Sequence, residues 1–404
     1  MLLVYLMLFL IVLLVEYIRH KRFVAPNTLF TFMWTFFPGL SSLGLYNIYK
    51  PSILIHVLVV VTVLVFNIAY SFFTRSENEE HNDIIFGNIN RKALIIANLV
   101  SFLYLSFFLS KAIAIIRDFG FDYLRTAAFD SSMGLANTAE LVIITWGIQA
   151  LFIATIIFGV IDSIVNKKHL LLIIAIIGII LYTILFVGRY LLVELVFSYI
   201  IAFVTAKKHI NKEIRFNKYM VTAALALIML VTSLRSFGDF NMVKSSVIYY
   251  SGSFTYLDNL LSSGEYVNNY LYGFATFGFI LDIFLAPLTF LFKVDFIGAS
   301  NTISQITSTP RFISPNQTYN AMATMLYSFI FDFGFLGVLL GTLFVSGLSA
   351  LAFNRIKNRM SYFSLGFYLF MMFVLFDSVM SYQLLFAKRG FAIIFLFLFT
   401  KRGD

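Results

Sequence analysis

Cysteine is missing altogether, and histidine, proline, tryptophan and charge are scarce: 5 His, 6 Pro, 2 Trp and 12% charged residues in a chain of 404. Without cysteine there can be no disulfide, no thiolate nucleophile and no Cys-ligated zinc. His20, His56, His81, His169 and His209 are scattered, without the spacing of a His/Asp metal site. No Walker-type glycine-rich loop is present, which excludes that route to ATP hydrolysis. No Asp-x-Asp pair is present either, of the kind that holds a divalent cation on a nucleotide sugar. The tripeptide Asp332-Phe333-Gly334 spells a kinase motif but lacks every other kinase element. Internal repeats, heptads and low-complexity tracts are absent as well.

What fills the chain is apolar. Hydrophobic residues make up 60%, including 49 Phe and 22 Tyr, far beyond a soluble domain. Many runs reach the roughly 18 apolar residues that read as a bilayer-crossing helix. Spans are expected near 2–18, 27–47, 52–73, 93–116, 139–160, 169–187, 190–206, 219–235, 330–353, 361–381 and 384–400. The fold class is therefore an all-α, polytopic integral membrane protein of about eleven transmembrane helices. The first run passes into Arg19-His20-Lys21-Arg22 without a small-residue cleavage site, so it reads as a retained helix.

The net charge of +9 could suggest nucleic acid, but the basic residues sort by membrane side. Clusters at Arg19/Lys21/Arg22, Arg75/Arg91/Lys92, Lys167/Lys168, Lys207–Lys218, Arg355/Lys357/Arg359 and Lys401/Arg402 fall in alternate connections. By the positive-inside rule those connections are cytoplasmic, with the N-terminus outside and the C-terminus inside. The apolar piece 270–292 breaks this parity if it crosses. Gly273, Gly278, Asp282 and Pro287 interrupt it, and it is read as re-entrant or interfacial. Three parts result: helices 1–8 over 1–235, one large periplasmic loop over 236–330, and helices 9–11 over 331–404.

The loop is where chemistry with water-soluble groups is expected, since such groups do not enter lipid. Lone cations at the outer ends of spans are the second signal. Arg189 lies in the turn Gly188-Arg189-Tyr190, Arg235 ends the eighth span, Arg311 is in the loop, and Lys388 and Arg389 sit inside the last span. A cation at such depth is costly, so it is a site hypothesis by default. Guanidinium grips phosphate through paired N–H groups. Arginines converging on one point would suit a diphosphate at the outer leaflet; the plainer reading is snorkelling to headgroups or pairing with Glu194 and Asp239. Asp239 follows Arg235 at helical ion-pair spacing. Asp239 and Asp258 are the candidates for a general base taking a proton from an acceptor hydroxyl. Tyr249, Tyr250, Phe254, Tyr256, Tyr266, Tyr270 and Tyr272 crowd the loop, suited to stacking on sugars or to interface anchoring.

The run Pro315-Asn316-Gln317-Thr318-Tyr319-Asn320-Ala321-Met322, followed by Tyr327 to Gly337 with its Asp332-Phe333-Gly334-Phe335-Leu336-Gly337, resembles bacterial oligosaccharide repeat-unit polymerases. These are the Wzy-type O-antigen and capsule polymerases. The Gly188-Arg189 turn, the arginine before a large outer loop and the span count resemble that family too. The resemblance implies a GT-C-like fold and a metal-independent glycosyltransferase without cofactor. Its substrates would be undecaprenyl-diphosphate-linked oligosaccharides at the periplasmic face of the bacterial inner membrane. A chain-length regulator would be a further partner, and nucleic acid would not be one. By it, Arg189, Arg235 and Asp332 stand at family-like positions, and Tyr319 and Asn320 join them as substrate-binding candidates. The related ligases carry a histidine in the large loop; 236–330 has none. The alternatives are a flippase for the same lipid-linked unit, which should show pseudo-symmetric halves, and a scaffold without catalysis.

Overall fold

The computed structural model describes residues 1–20, 23–74, 88–128, 133–210, 218–235, 242–267, 269–292, 298–320 and 323–401. It is nearly all helical. Among the described residues, six helical stretches are long and apolar enough to cross a membrane: Leu2–Arg19, Ile53–Phe73, Arg91–Phe119, Thr138–Val165, Tyr190–Lys207 and Thr324–Asn358. Large apolar side chains on them face outward, such as Leu3, Phe72 and Phe107, as a lipid solvent allows and water does not. The remaining expected spans fall on helices that are shorter or less apolar than these.

Contacts divide the chain into two units. One comprises Met1–His81, Asn241–Asn358 and Met371–Gly390, the other Asn82–Phe240, Arg359–Phe370 and Phe391–Asp404. Most of the expected outer loop thus belongs with the N-terminal helices.

In the first unit, α1 (Leu2–His20), α2 (Pro26–Leu43) and α3 (Ile53–Phe73) pack on one another. Pro26 opens α2, where its missing N–H is no loss. The Ala25 N–H is taken by the Thr28 hydroxyl at 2.9 Å. Gly44 ends α2 in the left-handed region at φ 67. Two buried polar pairs lie inside this packing: Tyr5 with His56 at 2.7 Å and Asn27 with Glu16 at 3.0 Å.

The second unit contains α4 (Arg91–Phe119), α5 (Phe121–Ala127), α6 (Thr138–Val142), α7 (Gln149–Val165), α8 (Leu170–Phe186), α9 (Tyr190–Ile210) and α10 (Lys218–Arg235). A π-helical stretch, Ile143–Ile148, joins α6 to α7. The α7–α8 hairpin closes on Gly159, where a Cβ would sit 2.8 Å from the Leu172 nitrogen. Asp162 is its polar core. It takes Arg91 Nε and Nη2 at 2.7 Å each, Tyr362 Oη at 2.5 Å and Asn166 Nδ2 at 2.9 Å.

The segment expected as a loop is folded. Returning to the first unit, α11 (Met242–Ser263) is followed by turns over 264–277, α12 (Gly278–Phe292) and α13 (Ala299–Thr307). An antiparallel hairpin of β1 (Arg311–Ser314) and β2 (Gln317–Tyr319) completes it, so the polar run 298–320 is not featureless and the chain is not purely helical. At 15 residues, α12 reaches about 22 Å, short of a ~30 Å hydrocarbon core. The hairpin lies on α11: Asn259 donates to the Phe312 carbonyl at 2.9 Å and the Tyr319 hydroxyl to the Tyr249 carbonyl at 2.7 Å. Gly252 permits that approach, since a Cβ there would meet Ile313 at 2.8 Å.

One boundary corrects the sequence reading. The span expected to open on Asp332 instead starts at Thr324, in α14 (Thr324–Asn358), and breaks in its interior. Phe333 (φ −143, ψ 28) and Gly334 (φ 60, ψ −147) leave helical geometry, and the positive φ suits glycine. Beyond the break the chain folds against its own first turns: a Cβ on Gly337 would lie 1.8 Å from the Phe329 carbonyl oxygen. Helices α15 (Tyr362–Asp377) and α16 (Ala387–Phe399) contribute residues to both units.

Candidate functional site

The break in α14 frames a cleft. Two sequential N–H groups of the turn before α12 bond to carbonyls at the break, Leu271 to Phe331 at 2.9 Å and Tyr272 to Asp332 at 3.2 Å. Tyr272 and Gly273 both take positive φ, 50 and 97, so the backbone turns sharply here. The two tyrosines flanking Leu271 are presented with ring centroids 6.3 Å apart at 67°. Opposite them α13 supplies Thr302, Gln305 and Ile306. With Asn269 and Phe331, these residues line an open cavity of about 650 Å³. Tyr272 is 72% exposed. Among the described residues no charged side chain lines the cavity. Aromatic faces, amides and a hydroxyl suit a neutral, hydroxyl-rich ligand; nothing in this lining suits a diphosphate.

Asp332 holds the cleft's wall from behind. It is fully buried, and one carboxylate oxygen takes the Ala275 N–H at 2.9 Å. The other takes the Thr276 N–H at 2.7 Å and the Thr276 hydroxyl at 2.5 Å. Asp332 was expected to bind substrate; its carboxylate is instead enclosed by the protein's own donors. A second anchor comes from Tyr382, whose hydroxyl donates to the Thr276 carbonyl at 2.8 Å.

The candidate cations are divided between the two units: Arg311, Lys388 and Arg389 belong to the first, Arg189 and Arg235 to the second. Arg311 bonds Glu265 at 2.5 Å and the Asn259 carbonyl at 3.1 Å, ending the hairpin on α11. Arg389 is fully buried. Its Nε donates to Gln383 Oε1 at 3.2 Å, and its guanidinium lies 5.2 Å from the Phe373 ring centre. Gln383 in turn donates to Asp377. Lys388 is half-buried beside the Phe386 ring. Arg189, half-buried, occupies the turn between α8 and α9 in the second unit. Arg235 ends α10; its side chain, and all of Asp239, lie outside the described residues.

Asp258 has a structural task. Its two oxygens take the Ser52 N–H at 2.7 Å and the Ser52 hydroxyl at 2.6 Å, fixing the start of α3 to α11. Tyr319 is buried with its hydroxyl bonded to Tyr249, and burial pushes that phenol well above its ordinary value. Burial likewise pushes Tyr256 up to about 12; it donates to the Thr307 carbonyl at 2.8 Å. Neither phenol is available as a base near neutrality. Asn320 is exposed, 3.5 Å from the Ser308 carbonyl. Among the described residues no three acidic or histidine side chains gather as a metal site.

Sequence reasoning singled out Tyr270 and Tyr272 but passed over Asn269, Thr302 and Gln305, which are unremarkable in a polar run. It also passed over Asp377. That residue carried the same signal as Arg389, an ionisable group in an apolar stretch. Compared with protein-family profiles, curated proteins and solved structures, the chain finds no match.

Proposed function

We propose that the protein joins lipid-linked oligosaccharide repeat units into a polysaccharide at the outer face of the bacterial inner membrane, as Wzy-type polymerases do. The observation that carries this reading is the uncharged cleft of Asn269, Tyr270, Tyr272, Thr302 and Gln305, built by a segment outside the six long apolar helices. A scaffold without catalysis has no use for such a surface; an enzyme that grips sugar rings does.

In this reading a hydroxyl of the acceptor glycan attacks the anomeric carbon of the donor glycan. The new C–O bond forms as the bond to undecaprenyl diphosphate breaks, and the hydroxyl proton passes to a base. The cleft holds glycan in position, which converts an encounter of two lipids into a local event. The diphosphate that departs needs a cation to receive its charge. Arg189, half-buried in the turn between two apolar helices, and Arg235, at the end of α10, are the candidates. Lys388 and Arg389 remain candidates of lower rank, because Arg389 is enclosed by Gln383 and Phe373. Asp239 is the preferred base, since Asp258 is engaged with Ser52.

The test is genetic. In a strain deleted for this protein, the wild-type chain restores a ladder of long polymer; at normal protein level Arg189→Ala restores single repeat units only and Tyr272→Ala about a tenth of the polymer. Long polymer at wild-type yield from both variants contradicts the reading.

A further inference from the structure

The cleft's sugar-facing residues are held by a group that never faces the sugar. The wall Tyr270-Leu271-Tyr272 is irregular backbone, with Tyr272 at φ 50 and Gly273 at φ 97. Irregular backbone with exposed ends holds its shape only where its N–H groups have fixed partners. Here several of them meet at one place in the fold: Leu271 and Tyr272 bond the Phe331 and Asp332 carbonyls, and Ala275 and Thr276 bond the Asp332 carboxylate. The break at Phe333–Gly334 is what frees those two carbonyls from continuing their helix. Gly334 also lies against the Tyr270 hydroxyl, 3.2 Å from where a Cβ would stand.

We infer that Asp332 is a positioning residue: through Ala275 and Thr276 it latches the broken helix to the wall of the cleft and so fixes the spacing of Tyr270 and Tyr272 for a glycan. This rests on the reading of the cleft as the sugar site. The chemistry of the latch is specific to a carboxylate. Its two oxygens meet donors: the Ala275 and Thr276 N–H groups, the Thr276 hydroxyl and the Gly273 N–H. An amide in its place keeps one acceptor and turns an NH₂ group towards a backbone N–H. A donor facing a donor opens the contact without emptying the space.

The test uses the full-length protein in lipid nanodiscs, with Asp332→Asn and, in case that variant does not accumulate, Thr276→Val, which removes only the hydroxyl. Amide hydrogen exchange is followed by peptide. The latch predicts exchange over 271–277 faster by about tenfold or more in Asp332→Asn, with Thr276→Val intermediate and the peptides of α3 and α11 unchanged. Turnover of purified lipid-linked repeat unit is followed in parallel. KM should rise about tenfold while kcat stays within about twofold, because the wall binds and does not react. Unchanged exchange over 271–277 overturns the latch. Faster exchange with normal KM leaves the latch in place but overturns the assignment of Tyr270 and Tyr272 as the sugar-gripping wall. Loss of kcat with normal exchange overturns the positioning role in favour of direct contact with the reacting groups.

Discussion

Gly278 lies directly against the carbonyl of Leu385: a Cβ at Gly278 would stand 2.4 Å from that oxygen. One turn on, Gly390 meets the Phe279 carbonyl, where a Cβ would stand 1.9 Å away. Two reciprocal close approaches thus join the start of α12 to the segment entering α16. The helix that carries the cleft's turn is fixed to the body of its unit by backbone contact, with no room for a side chain.

Gly278→Ala is therefore expected to destabilise the protein by about 1–3 kcal/mol, the usual cost of overpacking. Gly390→Ala should do the same or more. The check is the thermal midpoint of the purified protein in detergent, compared with Gly147→Ala. No heavy atom lies within 4 Å of a Cβ built at Gly147, so that change should leave the midpoint nearly in place.

Arg91 and Asp162 make the second unit's buried ion pair, with Asp162 essentially inaccessible and Arg91 30% exposed. Removing one partner of a buried pair typically costs about 3–5 kcal/mol. Because Arg91 reaches solvent, Arg91→Ala should fall at or below the low end of that range. Asp162→Ala should cost more, since it leaves Arg91, Tyr362 and Asn166 without their common acceptor. Chemical unfolding curves of the two variants give the comparison.

Arg311 and Glu265 offer a way to separate structure from phosphate binding. If the pair only ends the hairpin, Arg311→Ala should cost slightly more than Glu265→Ala, because Arg311 also bonds the Asn259 carbonyl. Each would lose about 1 kcal/mol or less, as a partly exposed pair does, and both would still support long polymer. Loss of polymer in Arg311→Ala alone would restore Arg311 to the phosphate-binding set.

How much of this was legible in the sequence follows from what periodicity and charge can report. The helices were legible because lipid leaves long apolar runs. The interruption of 270–292 was legible because Gly273 and Gly278 break such a run, and turns over 264–277 precede the short α12 there. The break at Phe333–Gly334 was not: an Asp and a Gly inside an apolar stretch read as one helix start, and only the fold-back that brings Gly337 onto the Phe329 carbonyl shows otherwise. The role of Asp332 was hidden for the same reason, its donors being 56 and 57 residues away. Charge at depth marked Arg389 correctly as an unusual residue. Its neighbour Gln383, six positions earlier and off any shared helical face, is brought to it by a tight 3₁₀ turn over Gln383–Leu385. Convergence of cations, the main expectation, depends on long-range placement, and no spacing rule reports that.

Tyr270 and Tyr272 should share their work. Tyr272→Ala is expected to lower polymer yield about tenfold, near the ~1.4 kcal/mol that one well-placed aromatic contact supplies. Tyr272→Phe should keep most of it, because a ring face stacks without its hydroxyl. The readout is the chain-length ladder at matched protein level.

The most direct measurement is turnover by the purified protein in nanodiscs, given lipid-linked repeat unit and no nucleotide. The account predicts a ladder of polymer from the wild-type chain, with single units persisting for Tyr272→Ala at unchanged thermal midpoint. Equal ladders from both proteins, or no polymer from the wild-type chain, would contradict it.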